Sequence, residues 1–417
     1  MSSTETRITK AVTHGLSRIF LCLALSLTFG LAWPVWAQDD DGYAPMEVWL
    51  VTYGPGEISW QSFGHNAIWI RDEELGLNHV FNFGFFDFKQ ESFYQRFLMG
   101  KLLYFSAAQP AEREFSQYID ENRSIRAQRL NLSADQSFQL AEYLLSEVQP
   151  QNRDYLYDYY TNNCSTRVRD ALDMALGGAL SANSEPEPAT QNWRDHTRRL
   201  TVSNFWLYLG LELGLGSKVD KAISRWDEFF IPSELAAAVA GARVSGPEGD
   251  QPLAMEDVML FVSSLDAPPV QPARWWPRYL MMGMAVLTVA WLAGRLSPLL
   301  TPLRLVRLWL LLGGLTGAAL VFFWFFTDHQ VARSNLNLLV FNPVWLLFAA
   351  WKHHQYAGVA LLLVSLGALL MVWLPPAQYN LDVLAAFLPL NIASGLLLFR
   401  RSSQPANLPG VPAAEGQ

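Results

Sequence analysis

The sequence predicts an α+β domain followed by an all-α membrane domain, and three observations carry that reading. Charged residues make up 16% of the chain and hydrophobic ones 51%, whereas an ordinary soluble domain carries about 25% charge. The apolar excess is concentrated near the N-terminus and after residue 274. The stretch between them alternates like strands and then recurs like capped helices. The chain divides into a signal (1–37), an exported domain (38–265), a Pro/Trp-rich juxtamembrane linker (266–278), a five-helix transmembrane domain (279–401) and a disordered cytoplasmic tail (402–417). Aromatics at 13% with few charges exclude a disordered chain. A net charge of −8 argues against a nucleic-acid partner.

Arg7, Lys10 and Arg18 precede the apolar run Ile19 to Trp33. Val35-Trp36-Ala37 then leads into Asp39 to Asp41, the pattern of a cleaved export signal. An uncleaved anchor helix is the alternative, and both send the next segment across the membrane. The two cysteines are Cys22 and Cys164. Cys22 leaves with the signal, so no intramolecular disulfide can form. A single cysteine in an oxidising compartment is an intermolecular partner, an inert buried thiol or a nucleophile.

Strands are expected at 47–53, 65–70, 79–85, 102–107 and 126–132. Ser133 to Gln136 is a capping box opening a helix through Leu140 and Leu144. Asn162-Asn163-Cys164-Ser165-Thr166 supplies cap candidates for another, which Gly177-Gly178 ends. A polar loop over 181–190 and two or three helices over 190–240 complete the domain.

Five apolar stretches, near 276–294, 306–326, 335–351, 355–374 and 383–399, approach the roughly 17–25 residues that span a bilayer. With the preceding domain outside, the inner flanks carry Arg295, Arg304, Arg307, Lys352, Arg400 and Arg401. The outer flanks carry Arg274, Arg278 and Arg333. The excess lies inside, as membrane insertion requires. Trp275 and Trp276 mark an outer interfacial belt. No charge sits mid-span, which disfavours an ion-coupled transporter.

Cys164 with His65 is the strongest chemical constellation. A cysteine at a helix N-terminus feels the positive end of the dipole, which lowers its pKa. A histidine on a strand is a rigid base. Asn82, sharing strand parity with Val80 and Gly84, is the candidate third residue; His79 and Asp87 are its rivals. His196, in W-R-D-H-T-R-R, reads as an exposed helix face. His329, Asn335, Asn337 and Asn342 read either as hydrogen bonds closing a helix–helix loop or as a polar wall for lipid head groups. His353-His354 reads as a solvated loop, and no metal site is expected.

The motifs Y-G-P-G-x-x-x-W-x-x-F-G-H-N-A-I-W-I-R-D, V-F-N-F-G-F-F-D-F, E-N-R-S and Y-D-Y-Y-T-N-N-C-S-T-R-V-R-D resemble the periplasmic domain of Lnb-type lipoprotein N-acyltransferases. T-D-H-Q-x-x-x-S-N-L-N-L-L-V-F-N-P resembles a stretch of that family's five-helix membrane domain. More distantly, the order His, polar strand residue, Asn-Cys resembles circularly permuted NlpC/P60 papain-like enzymes of the lecithin:retinol acyltransferase type. The resemblance implies an α+β papain-like fold, with Cys164 as nucleophile, His65 as base and Asn82 as its orienting partner, where those relatives often have His. Asn163 and Ser165 would flank an oxyanion site, and His329, Asn335 and Asn337 would face substrate. It implies an inner-membrane enzyme with a periplasmic catalytic domain. Such an enzyme would move an acyl chain from a phospholipid, through S-acyl-Cys164, to the N-terminal amine of a diacylated lipoprotein, without metal or cofactor. The alternatives are a cell-wall amidopeptidase, a phospholipase, or a non-catalytic assembly or sensor protein.

Overall fold

A computed structural model describes residues 46–246, 249–351, 354–374 and 378–402. The expected signal, His353 and residues 403–417 of the expected tail lie outside the described residues. The first strands are Glu47–Tyr53 (β1), His65–Asp72 (β2) and Leu77–Phe85 (β3), followed by the short helix Phe93–Met99 (α1) and strand Leu103–Pro110 (β4). Helix Ala111–Asp120 (α2), strand Ile125–Leu130 (β5), helix Ala134–Glu147 (α3) and strand Asp154–Leu156 (β6) come next. Then follow Cys164–Ala175 (α4), Ala179–Ser184 (α5), Trp193–Thr201 (α6), Phe205–Gly214 (α7), Arg225–Glu228 (α8) and Pro232–Gly241 (α9). Strands Arg243–Gly246 (β7), Gly249–Pro252 (β8) and Ala254–Phe261 (β9) end the domain. All five expected strands form. The polar loop expected over 181–190 is helical as far as Ser184, and four helices rather than two or three fill 190–241.

Seven strands make one antiparallel sheet in the order β6-β4-β3-β2-β1-β5-β9. Strand alternation sends Leu50, Ile68, Ile70, Phe81 and Phe83 to one face. There they pack on Leu140 and Leu144 of α3, Val168 and Leu172 of α4, and Leu235 and Val239 of α9. Each such side chain contributes about 1.5–3 kcal/mol on burial. Val51, Tyr53, Ala67 and Val80 face the other way, onto Phe115 and Tyr118 of α2. The sheet is thus sandwiched, and β2 and β3 lie near its centre with a helix over each face.

The membrane part comprises Trp276–Leu296 (α10), Pro302–Phe326 (α11), Trp345–Ala350 (α12), His354–Met371 (α13) and Leu381–Ser402 (α14). Four helices among the described residues (α10, α11, α13 and α14) are long and apolar enough to cross a membrane. The expected third span, 335–351, is not one helix. It is a 3-10 turn at Leu336–Leu339, an irregular stretch, and the six-residue α12. Asn342-Pro343 is the reason: the residue before proline is driven out of helical conformation, and proline donates no hydrogen bond. The segment runs antiparallel to α11, Phe341 lying against Gly317 and Leu346 against Gly314, where a side chain would collide. Val340 and Phe341 at its break are buried. Val340 O accepts from Asn391 Nδ2 (3.0 Å) and Trp345 Nε1 (3.1 Å). Non-helical chain is tolerated at membrane depth only under such cover.

Candidate functional site

Asn163 caps α4 and fixes where the thiol sits. Its Oδ1 accepts from Thr166 N (2.9 Å), and Thr166 Oγ1 accepts from Asn163 N (2.7 Å). Asn163 Nδ2 also donates to Phe230 O (3.0 Å). The box leaves Cys164 as the first helical residue, as the sequence predicts. Ser165 Oγ donates to Asn66 Oδ1 (2.8 Å) and Phe229 O (2.6 Å), tying the helix start to β2. The side chains of Asn163 and Ser165 are therefore spent on anchoring. What faces the sulfur is main-chain N–H, from Asn66, Ser165 and Cys164 itself.

Gly84 makes this approach possible. Its φ is +101°, and a Cβ there would lie 3.3 Å from the Cys164 Cβ. Asn82 pairs with Ala67, the last paired position of β2 and β3 before Gly84. The thiol thus reaches the sheet beyond the last β2–β3 pair, with the main-chain N–H of Asn66, the residue after His65 on β2, against the sulfur. Among the described hydrogen bonds none joins His65 to Cys164. Such contacts are often long without substrate and tighten when it binds.

His65 Nε2 meets Asn82 Oδ1 at 2.9 Å. Asn82 Nδ2 donates to Glu114 Oε2 (2.6 Å), and Glu114 also accepts from Tyr53 Oη (2.6 Å) and Gln109 Nε2 (2.7 Å). With Asn82 Oδ1 accepting, the neutral ring carries its proton on Nε2 and leaves Nδ1 as a lone pair. His79 and Asp87 are elsewhere. His79 lies across from Ile70 with its Nδ1 buried and unpartnered, and Asp87 Oδ1 accepts from Lys89 N.

Burial controls the charge state. It lowers the His65 pKa to about 4, against the raising effect of the Asn82 hydrogen bond, and Arg123 lowers it further. Burial also raises the Cys164 thiol above its ordinary value, outweighing the main-chain N–H groups and Arg123. This corrects the expectation of a depressed thiol: the helix start helps, but less than desolvation hurts. Cysteine and histidine are thus both neutral at rest. Glu114 is raised by burial, opposed by its three hydrogen bonds.

The sequence reading missed Glu114, Tyr53 and Arg123. Arg123 Nε donates to Gly54 O (2.9 Å), and its guanidinium lies 4.6 Å from the centre of the Tyr118 ring. Gly54 N in turn donates to Ser124 O (2.8 Å). The Y-G-P-G and E-N-R-S motifs therefore meet in space, which was the available signal.

The residues expected near the membrane divide. His329 stacks on Tyr159, at 6.3 Å between ring centres, and its Nε2 lies 3.0 Å from Phe97 O. It lines a small pocket with Leu102, Tyr157, Tyr159 and Gln330. Asn335 and Asn337 are buried, and their side-chain amides donate to Leu213 O, Gly214 O and Glu212 O at the end of α7. They close an inter-element junction and do not form a polar wall. His196 corrects another expectation. It is buried, with Nε2 2.8 Å from Glu228 Oε1 and Nδ1 accepting from Arg199 Nε (3.0 Å).

A mixed α/β domain with a half-buried thiol at a helix start and a His–Asn–Glu chain, joined to long apolar helices, defines a membrane protein with a candidate site outside those helices. The chain belongs to the Lnb family: residues 35–199 match the model of the Lnb N-terminal periplasmic domain, and residues 280–404 match the Lnb transmembrane domain. No curated protein and no solved structure matches it.

Proposed function

We propose that this protein is a thiol acyltransferase of the bacterial inner membrane. It moves a fatty acyl chain from a phospholipid to the N-terminal amine of a diacylated lipoprotein. The observation that carries this is Cys164 on the first turn of α4, seated over Gly84 on the sheet whose strands carry the His65-Asn82-Glu114 chain.

The Cys164 sulfur attacks the ester carbonyl as its proton passes to His65 Nδ1. No stable ion pair precedes attack, because both groups rest neutral. The imidazolium is met at Nε2 by Asn82 Oδ1, with the Glu114 carboxylate behind. Main-chain N–H groups of Asn66, Ser165 and Cys164 offer donors to the developing oxyanion. Collapse expels the lysophospholipid oxygen, which takes the proton from His65, and leaves a thioester. The lipoprotein amine attacks that thioester, gives a proton to His65, and collapse returns the thiol. In this reading the charge bias and the antiparallel course of 335–350 beside α11 give five crossings, the third of them broken. The catalytic domain stands in the periplasm.

Incubating the purified protein with labelled phospholipid should trap a hydroxylamine-labile adduct on Cys164 and release matching lysophospholipid. A diacylated lipopeptide should then discharge it as an N-acyl product. Discharge by water alone would make the protein a phospholipase. No adduct, with cleavage of a muropeptide, would assign it to the cell wall.

A further inference from the structure

The rim of the Cys164 site carries large apolar side chains that no described residue covers. On α1, Tyr94, Phe97 and Leu98 recur at i, i+3 and i+4 and so share one face. They are 82%, 50% and 46% exposed. Trp60 and Phe88 extend that patch, being more than half exposed with ring centres 6.4 Å apart. A soluble surface seldom presents so much contiguous apolar area without a partner.

Two further observations identify the partner as lipid. First, α1 is fastened to the point where α11 ends. Asp328 N donates to Met99 O (2.9 Å), and His329 Nε2 lies against Phe97 O. Gly100 sits so close to the Asp328–His329 backbone that a Cβ would collide. The last residues of α11, Phe325 and Phe326, are themselves exposed. The patch therefore continues the apolar surface of a spanning helix at its outer end. Second, the patch connects inward. Phe88 touches Phe86 (4.9 Å between ring centres), Phe86 touches Tyr104 (5.3 Å), and Tyr104 stacks on Tyr157 (4.1 Å). Tyr104 and Tyr157 both lie within the electrostatic reach of Cys164.

We propose that α1 and the Trp60–Phe88 tip are embedded in the outer leaflet, at the boundary of head groups and acyl chains, as the bilayer-side lip of the Cys164 site. An aromatic wall then runs from the leaflet to the thiol. This rests on the acyl-transfer reading for its purpose, but not for its location.

The test uses the full chain with Cys22→Ala and Cys164→Ala, reconstituted in phosphatidylethanolamine/phosphatidylglycerol vesicles. A single environment-sensitive nitrobenzoxadiazole label is placed through Tyr94→Cys, Leu98→Cys or, as control, Leu75→Cys. Leu75 is exposed in the β2–β3 turn, at the far end of the strand from His65. Labels at 94 and 98 should emit to the blue, be quenched by lipids carrying a doxyl group high on the chain, and resist aqueous iodide. The label at 75 should do the reverse. Iodide quenching at 94 and 98 equal to that at 75 would overturn the proposal, whether solvent or a soluble partner occupies the face. In the otherwise native chain, Tyr94→Asp with Leu98→Asp should slow acylation of Cys164 from bilayer phospholipid at least about tenfold, and leave acylation by a water-soluble short-chain ester unchanged. Equal loss with both esters would overturn the lip. Lipid quenching at 94 and 98, with no acylation of the native chain by either ester, would establish the lip and refute the acyl-transfer reading alone.

Discussion

At the scale of single residues, geometry and burial pull in different directions, and the pH profile should show which prevails. A free imidazole titrates near 6.5, but burial holds His65 at about 4. Protonation removes the Nδ1 lone pair, so the rate should fall as pH drops through about 4 and stay level across 5 to 7. An acid limb centred near 6.5 in the kcat/KM profile would show a solvated imidazole instead. Cys164→Ala should fold and form no adduct. His65→Ala should cost about 10²–10⁴-fold, the usual worth of a positioned base. Gly84→Ala tests the seat of the thiol. It forces φ +101° on an alanine, about 1–3 kcal/mol of strain, and pushes a methyl into Cys164. A displacement of about 1 Å can cost about 10²-fold in rate, so the smaller shift that a 3.3 Å contact demands should still slow a well-folded variant measurably. Normal acylation by Gly84→Ala would show that the thiol works from another position. Cys164, His65 and Asn82 were legible because each type is rare in its local pattern. Glu114 was not, because a glutamate in a helix with Glu112 and Arg113 beside it looks like any solvated face. Only the 32-residue return of α2 beneath β3 reveals it.

At the scale of elements, local signals fixed the boundaries well and distant partners decided the exceptions. The capping box of α3 forms as its spacing predicts, and one of the cap candidates before Cys164, Asn163, caps α4, because a cap is satisfied within four residues. Helix α6 shows the opposite. Its W-R-D-H-T-R-R sequence reads as exposed, yet Arg194, His196 and Arg198 are almost fully buried. Their counter-charges, Glu212, Asp220 and Glu228, come from elements 14 to 32 residues away. Residues 335–350 fail as a regular helix for a local reason, Pro343, but stay in place for a distant one, Asn391 on α14. Asn391 Oδ1 also accepts from Trp309 Nε1 at 2.8 Å, joining α11 to α14 through the broken segment. Asn391→Leu would therefore leave the Trp309 N–H without its partner and Val340 O with Trp345 Nε1 alone. At about 1–3 kcal/mol per unsatisfied group, the thermal midpoint in nanodiscs should drop clearly. No change in midpoint would mean that water reaches the break.

At the scale of the whole molecule, the two matched regions leave residues 200–279 between them, and this stretch clamps the α/β domain to the helices. Helix α7 is the centre of the clamp. Its Glu212 accepts from Arg198 Nε (2.9 Å) and Nη2 (2.6 Å), and from Arg194 Nη1 (3.4 Å). Arg198 also lies 3.6 Å from Asp382 at the start of α14 and 3.9 Å from the centre of the Tyr379 ring. Tyr208 Oη reaches both Ala273 O (3.0 Å) and Asp382 Oδ2 (3.3 Å), while Tyr279 Oη donates to Phe205 O (2.9 Å). Asn337 and Asn335 hold the last carbonyls of the same helix from the other side. A rigid junction of this kind would fix the height of Cys164 above the leaflet, which a lipid substrate held in the bilayer demands. Its energetics can be separated from surface charge by a paired measurement. Glu212→Ala removes the two-point partner of the buried Arg198 guanidinium, while Arg194 keeps Asp220, and breaking such a buried pair costs about 3–5 kcal/mol. Arg126→Ala removes a partly exposed pair with Asp257 on the outer strands of the sheet, worth about 0–1 kcal/mol. Glu212→Ala should therefore lower the thermal midpoint sharply and expose the 262–275 linker to protease, while Arg126→Ala should do neither. If the catalytic domain of Glu212→Ala still forms the S-acyl adduct from short-chain soluble ester but loses acylation from bilayer phospholipid, the clamp sets the height of the site. Parallel loss of both would show that α7 is needed for the fold of the thiol site itself.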